Sequence, residues 1–393
     1  MSIILSVGIA IFAMFFGAGN IIFTLALGSE VGNKVFSAFG GLFLTAVILP
    51  LIGIMASIFF GGDYKSFFYR TGFLFSIFLP MSCMLLLGPF GAIPRCIVTS
   101  YFAIKRYVPG ISLLRFSVIV SFFIFITSYR YEVIMDIIGK FLGPIKLILL
   151  GSIVAFGLYG FSTTPPAIDA QDLEIFIQGC VAGYATMDLL GTFFFAGLII
   201  DSIKKSTNKE SVIQYISLKA CIFSSLILAI LYFGFCYIAA VYISKLDAAY
   251  GRYEFLNSLA PYILGERWGF VVNLSIAISC FITAIALIAI FSSYFQTMLN
   301  IKSFTYVYAL GVTIVLSVLM SNLGFESIME TIYPIILVCY PVLIILSILS
   351  LVEKMLKVKF IKVPVFVTFF LSVWNINPYT FKEYLIRAYC YIL

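Results

Sequence analysis

Apolar stretches of membrane-spanning length alternate with short polar ones along nearly the whole chain. The first runs from Ile3 to Leu27 without a charge, and others follow at about 35–59, 72–102, 110–129, 137–160, 178–200, 214–243, 268–294, 303–322 and 327–352. A weaker eleventh covers about 361–374. A helix needs about 20 apolar residues to cross the hydrocarbon core of a bilayer, so these runs read as transmembrane helices. The stretch from Pro378 to Leu393 carries Lys382, Glu383 and Arg387, and its length predicts an interfacial or half-inserted helix.

Two runs carry interruptions. In the first, Phe15-Phe16-Gly17-Ala18-Gly19-Asn20 sets two glycines and an amide side chain near mid-membrane. Glycine loosens a helix and asparagine offers its backbone competing hydrogen bonds, so the helix is expected to break there. A break at membrane depth survives only where protein, water, an ion or a ligand takes up the freed backbone groups, which makes it a binding-site candidate. The plainer reading is that Gly17 and Gly19 let a neighbouring helix pack closely. The sixth run repeats the pattern: Gly183-Tyr184-Ala185-Thr186-Met187-Asp188-Leu189-Leu190-Gly191 places an acid at helix-centre depth, where insertion costs roughly 2.5–3.5 kcal/mol.

Breaks in the first and sixth spans imply two halves of five spans, the second inverted relative to the first, as in inverted-repeat secondary transporters. The fold class expected is an all-α polytopic membrane protein. Residues 1–160 would form the first five-helix repeat and 161–352 the second, with 353–393 adding the eleventh span and tail. The repeat is inferred from the positions of the breaks, since the sequences of the halves do not visibly match.

Loop charges suggest an orientation. With the N-terminus in the cytoplasm, Lys65, Arg70, Arg130, Lys140, Lys204, Lys205, Lys209, Lys302, Lys354, Lys357, Lys359 and Lys362 fall inside. The segments 161–177 and 323–330, with Asp169, Asp172, Glu174 and Glu326 and no Lys or Arg, fall outside, which favours that orientation. Lys105 and Arg106, and Lys245, Arg252 and Arg267, run against it.

Composition narrows the function. The chain of 393 residues is 63% hydrophobic and 10% charged, and it contains no histidine. That removes the commonest general base and the commonest metal ligand. The eight cysteines lie singly in apolar runs, without a Cys-x-x-Cys pair, and read as small core residues. A net charge of +7, scattered over the loops, speaks for orientation rather than for nucleic-acid binding. No cleavable signal is expected, because the first run is too long and lacks a basic leader. Asp169, Asp172 and Glu174 loosely resemble metal-diphosphate motifs of membrane prenyl enzymes, but adjacent aspartates and a second acidic motif are missing. Neither an enzyme nor a cofactor beyond a coupling ion is expected.

The candidate chemistry gathers at the breaks. The N–H groups of Gly17, Ala18 and Gly19, at the positive end of a half-helix, suit a carboxylate. The Asn20 amide oxygen suits a cation or an ammonium. Thr186 and Asp188, with Tyr184 in the same stretch, are candidates for the other end of a zwitterion, although a structurally paired Asp188 is the alternative. In the eighth span Ser275, Ser279 and Thr283 recur every four residues on one face. They either bond back to the preceding turn or, with freed carbonyls near Ala13 and Phe16, ligate sodium. Lys146 of the fifth span is expected to snorkel to the cytoplasmic surface. Pointed into the bundle instead, its ammonium would stand where an ion binds and would favour proton coupling. Arg95, beside Pro89 and Pro94 in a span expected to kink, needs a partner, either a gate salt bridge or a structural one.

Phe16-Gly17-Ala18-Gly19-Asn20-Ile21-Ile22-Phe23, Gly88-Pro89 with Pro94-Arg95, Gly183-Tyr184 with Thr186-Met187-Asp188 and Leu190-Gly191, and Ser321-Asn322-Leu323-Gly324 with Tyr340-Pro341 together resemble the bacterial branched-chain amino acid:cation symporter family. The resemblance covers about residues 3–352. It implies the leucine-transporter fold of the amino acid, polyamine and organocation group, in a bacterial plasma (inner) membrane. It also implies leucine, isoleucine or valine as substrate, with Gly17, Ala18 and Gly19 meeting the carboxylate. Asn20, Asp188 and Thr283 would then be ion or amine ligands. Members usually have twelve spans and a proline after the phenylalanine at position 23, where this chain has Thr24. The function expected is symport of branched-chain amino acids with a cation, sodium being favoured over the proton. Alternatives are import of another small neutral amino acid or zwitterion, and a non-transporting membrane sensor or scaffold, for which a soluble signalling domain would be expected.

Overall fold

The computed structural model describes residues 3–129, 138–159, 164–243, 252–299, 305–356 and 360–375. Helix is the only regular structure among them, as lipid requires of a segment that must satisfy its backbone internally. In chain order the α-helices are α1 (Ile3–Phe15), α2 (Ala18–Val31), α3 (Val35–Phe43), α4 (Leu49–Phe59), α5 (Tyr64–Tyr69), α6 (Phe73–Leu87), α7 (Ala92–Lys105) and α8 (Leu113–Ser128). They continue with α9 (Gly143–Tyr159), α10 (Asp172–Thr186), α11 (Asp188–Lys204), α12 (Glu210–Tyr242), α13 (Arg252–Leu299), α14 (Tyr306–Ser321), α15 (Phe325–Leu356) and α16 (Lys362–Asn375). Each of the eleven apolar runs thus holds helix among its described residues. The tail at 378–393 and the loop charges Arg130, Lys245, Lys302, Lys357 and Lys359 lie outside the described residues.

Both expected breaks are present. Gly17 is extended, with φ −109° and ψ −161°, between α1 and α2. Met187, with φ 68° and ψ 16°, separates α10 from α11, and the two are bent by 43°. Met187 is the only non-glycine residue with positive φ among the described residues. A methionine in the left-handed region costs energy, so its neighbours must hold it there. The third span is broken rather than kinked. Residues 88–91 separate α6 from α7, and Pro94 sits in the first turn of α7, where its missing N–H costs nothing.

The broken helices form the centre. Every residue from Val7 to Phe15 in α1, and from Asp188 to Ala196 in α11, is buried. The periphery instead exposes Phe122, Phe123 and Ile126 of α8 and Phe366, Phe370 and Trp374 of α16, as a lipid-facing surface does. Around the centre, α12 packs on α1 and α2, α10 on α3, and α13 on α7.

The α3–α10 contact is close because it uses glycine from both sides. A β-carbon on Gly41 would fall 2.0 Å from the Phe176 carbonyl oxygen, and one on Gly179 2.0 Å from that of Ala38. Small residues let backbones approach in this way where no hydrophobic force drives helices together. Gly179→Ala should therefore lower the Tm of the detergent-solubilised protein, at an overpacking cost of about 1–3 kcal/mol. An unchanged melting curve would show that the helices separate at no cost.

Candidate functional site

The first break leaves carbonyls at the end of α1 and amides at the start of α2. Asn20, in the first turn of α2, turns its Oδ1 back to accept from the Gly17 N–H at 2.7 Å, half of a capping box. Ala18 and Gly19, whose amides stand at the positive end of α2, line a cavity. Gly17 also lines it, but its N–H is bonded to Asn20, so it does not offer the open donor expected from sequence.

Across the cavity Asp188 begins α11, a favourable place for a carboxylate. Asn20 Nδ2 donates to its two oxygens at 3.0 and 2.8 Å, and the Tyr232 hydroxyl donates to Oδ2 at 2.7 Å. Asn20 Nδ2 also contacts the Tyr232 oxygen. One side chain thus ties both breaks together, with its oxygen on the first and its nitrogen on the second. This is a change from sequence reasoning, in which the Asn20 oxygen faced a cation. Tyr232, from the middle of α12, was not anticipated. It is buried, and its ring stacks on Phe16 at 5.6 Å between centroids.

Behind the first break lies the oxygen set proposed for sodium, and Lys146 occupies it. Its Nζ donates to the carbonyls of Ala13 at 2.9 Å and Ser279 at 3.1 Å and to Thr283 Oγ1 at 2.8 Å, and it also contacts the Phe16 carbonyl. Lys146 does not snorkel; its side chain is wholly buried. The reason is local, since the carbonyls freed at the end of α1 carry the negative end of that helix and solvate an ammonium at depth. Ser279 contributes its backbone carbonyl instead of the expected hydroxyl, and Ser275 bonds back to the Val271 carbonyl at 2.6 Å.

Arg95 reaches the cavity from α7. Its Nη1 donates to the Ala185 carbonyl at 3.0 Å and to Met329 Sδ at 3.2 Å, and its Nη2 to Met187 Sδ at 2.8 Å. Thr186 lines the cavity too, with its hydroxyl bonded back to the Gly183 carbonyl at 2.8 Å. Tyr184 does not line it; its ring packs on Tyr340 at 4.7 Å. Met14, Phe15, Leu87, Phe195 and Leu287 give the cavity apolar walls.

Two interrupted helices that meet around one cavity inside an all-helical membrane protein define a fold of the leucine-transporter type. Solved transporters share it. The chain matches Mhp1, a nucleobase-cation-symport-1 family transporter in a closed conformation with bromovinylhydantoin bound, with a TM-score of 0.64 and 16% identity, over 88% of this chain and 77% of that one. It matches MhsT in complex with L-phenylalanine with a TM-score of 0.58 and 15% identity, over 94% and 98% of the two chains.

The sequence places the chain within that class. It belongs to the branched-chain amino acid transport protein family, which matches residues 1–392. The branched-chain amino acid permease BrnQ of Bacillus subtilis (strain 168) is 31% identical over 368 residues, 91% of this chain and 83% of its own length. BrnQ of Escherichia coli (strain K12) is 28% identical over 352 residues, 88% of this chain and 80% of its own. The chain is a multi-pass membrane protein of a transporter family, not an enzyme.

Proposed function

We propose that the protein carries leucine, isoleucine or valine across a bacterial plasma membrane together with a cation, by alternating access on a scaffold of two five-helix repeats, 1–160 and 161–352, with its N-terminus in the cytoplasm. The observation that carries this reading is the meeting of the two breaks. Ala18 and Gly19 offer amides to a carboxylate, Asp188 with Thr186 offers oxygens to an ammonium, and the apolar walls between suit an aliphatic side chain. Gly17, Asn20 and Tyr232 hold those groups in place, and Tyr184 supports the second break from behind. Membership of the family and the similarity to branched-chain amino acid permeases support the choice of substrate.

Uptake of labelled leucine into proteoliposomes, with each other amino acid as competitor, tests the reading. Isoleucine and valine are expected to compete and polar amino acids not to. Competition by a different neutral amino acid, with leucine ignored, would move the protein to another zwitterion on the same scaffold. No accumulation of any amino acid would favour a sensor or scaffold.

The cation is the finer point. The carbonyls of Ala13, Phe16 and Ser279 with Thr283 Oγ1 make a hard-oxygen set of the kind that suits sodium. The Lys146 ammonium lies among the same oxygens, and two like charges repel strongly in so small and buried a space. That geometry favours Lys146 as the bearer of the coupling charge, with proton exchange on its amine in place of sodium. Sodium would enter only if the ammonium withdrew.

A further inference from the structure

Arg95 lies in the wall of the same cavity. A charged side chain at membrane depth is costly and calls for strong partners. Nη2 donates to the Met187 thioether, a weak acceptor that a carboxylate can outcompete. Nη1 donates to the Ala185 carbonyl in the last turn of α10, so that nitrogen of the guanidinium caps the upstream side of the second break. The other nitrogen, Nη2, overlooks the first break, because a β-carbon on Gly19 would lie 3.5 Å from it. Arg95, Ala18 and Gly19 line the same cavity, with Asp188 also in its wall.

We propose that Arg95 is a substrate-binding residue whose Nη2 completes a carboxylate site with the amides of Ala18 and Gly19. A carboxylate arriving there displaces the Met187 sulfur and exchanges a weak acceptor for a charge-assisted one. Arg95 and Asp188 then orient the zwitterion, one at each end, and the site rejects ligands that keep the ammonium but lack the carboxylate. This rests on the cavity being the amino-acid site proposed above.

The test compares equilibrium binding of leucine and leucinamide to the purified protein, for wild type, Arg95→Gln and Arg95→Lys. Wild type should prefer leucine. Arg95→Gln should weaken leucine binding by about 10- to 100-fold, the range of a charged hydrogen bond, and leave leucinamide binding unchanged or stronger, since the positive ligand no longer meets a positive side chain. Arg95→Lys keeps the charge without the planar fork and should lose leucine affinity to a smaller extent, with leucinamide unaffected. Equal losses of leucine and leucinamide in either variant would overturn the proposal and leave Arg95 as a cap on α10. If Arg95→Gln does not fold, Arg95→Lys decides by the same comparison. Wild-type protein that binds leucinamide as well as leucine would instead overturn the carboxylate reading of the cavity, an outcome distinct from the failure of Arg95 alone.

Discussion

Lys146→Ala is expected to abolish leucine uptake driven by an imposed pH gradient and to make the protein responsive to sodium. In the wild type the ammonium satisfies the carbonyls of Ala13 and Ser279, contacts that of Phe16, and donates to Thr283. Removal of the side chain leaves those oxygens facing one another with only the Thr283 hydroxyl among them. Each buried group that loses its partner costs about 1–3 kcal/mol. The variant should therefore be less stable, and sodium, which suits such oxygens, should restore part of that stability by binding the folded form alone. Lys146→Met keeps most of the bulk and has no charge, so it should lose pH-driven uptake without gaining a response to sodium. The measurements are uptake in proteoliposomes with a sodium gradient or a pH gradient imposed singly, and Tm with sodium or potassium chloride. Wild-type uptake driven by sodium alone, and unaffected by Lys146→Ala, would return the coupling role to sodium and reduce Lys146 to a structural filler.

The fold was legible because the lipid phase enforces simple rules. Apolar length located all eleven helical runs, and Gly17 and Gly19 marked the first break through glycine's own conformational preferences. The second break was marked only indirectly, by Asp188. The residue that makes it, Met187, carries no signal, because nothing in its chemistry favours the left-handed backbone it adopts. Lys146 was misplaced because an apolar run gives depth along the helix but not direction around it. Whether a lysine turns outward to the surface or inward to α1 depends on carbonyls more than 100 residues away. Tyr232 was invisible for the same reason. It is one of several aromatic residues in α12, and only the meeting of α12 with both breaks sets it on Asp188. Asn20 was singled out at the first break, but its orientation was not, since an amide can present either oxygen or nitrogen and only its neighbours decide.

Gly19→Leu should abolish leucine binding while the protein still inserts and folds. A β-carbon at Gly19 would meet Phe23 at 3.4 and 3.5 Å and Arg95 Nη2 at 3.5 Å, all side-chain atoms at near-ordinary contact distance. Alanine is therefore accommodated. The three further carbons of leucine have to extend past that contact, over the amides of Ala18 and Gly19 and toward the guanidinium. Affinity should fall by at least ~100-fold, or about 2.8 kcal/mol, because the carboxylate loses both its space and its donors. Gly28 in the same helix supplies the contrast. A β-carbon there would lie 2.0 Å from the Cys236 carbonyl oxygen, on the backbone of α12, so Gly28→Leu should impair folding itself. Binding to the purified variants, with size-exclusion profile and Tm as controls for folding, separates the two cases. Normal leucine affinity in a folded Gly19→Leu protein would mean that the glycines of the first break serve close helix packing, and that the amino acid binds elsewhere.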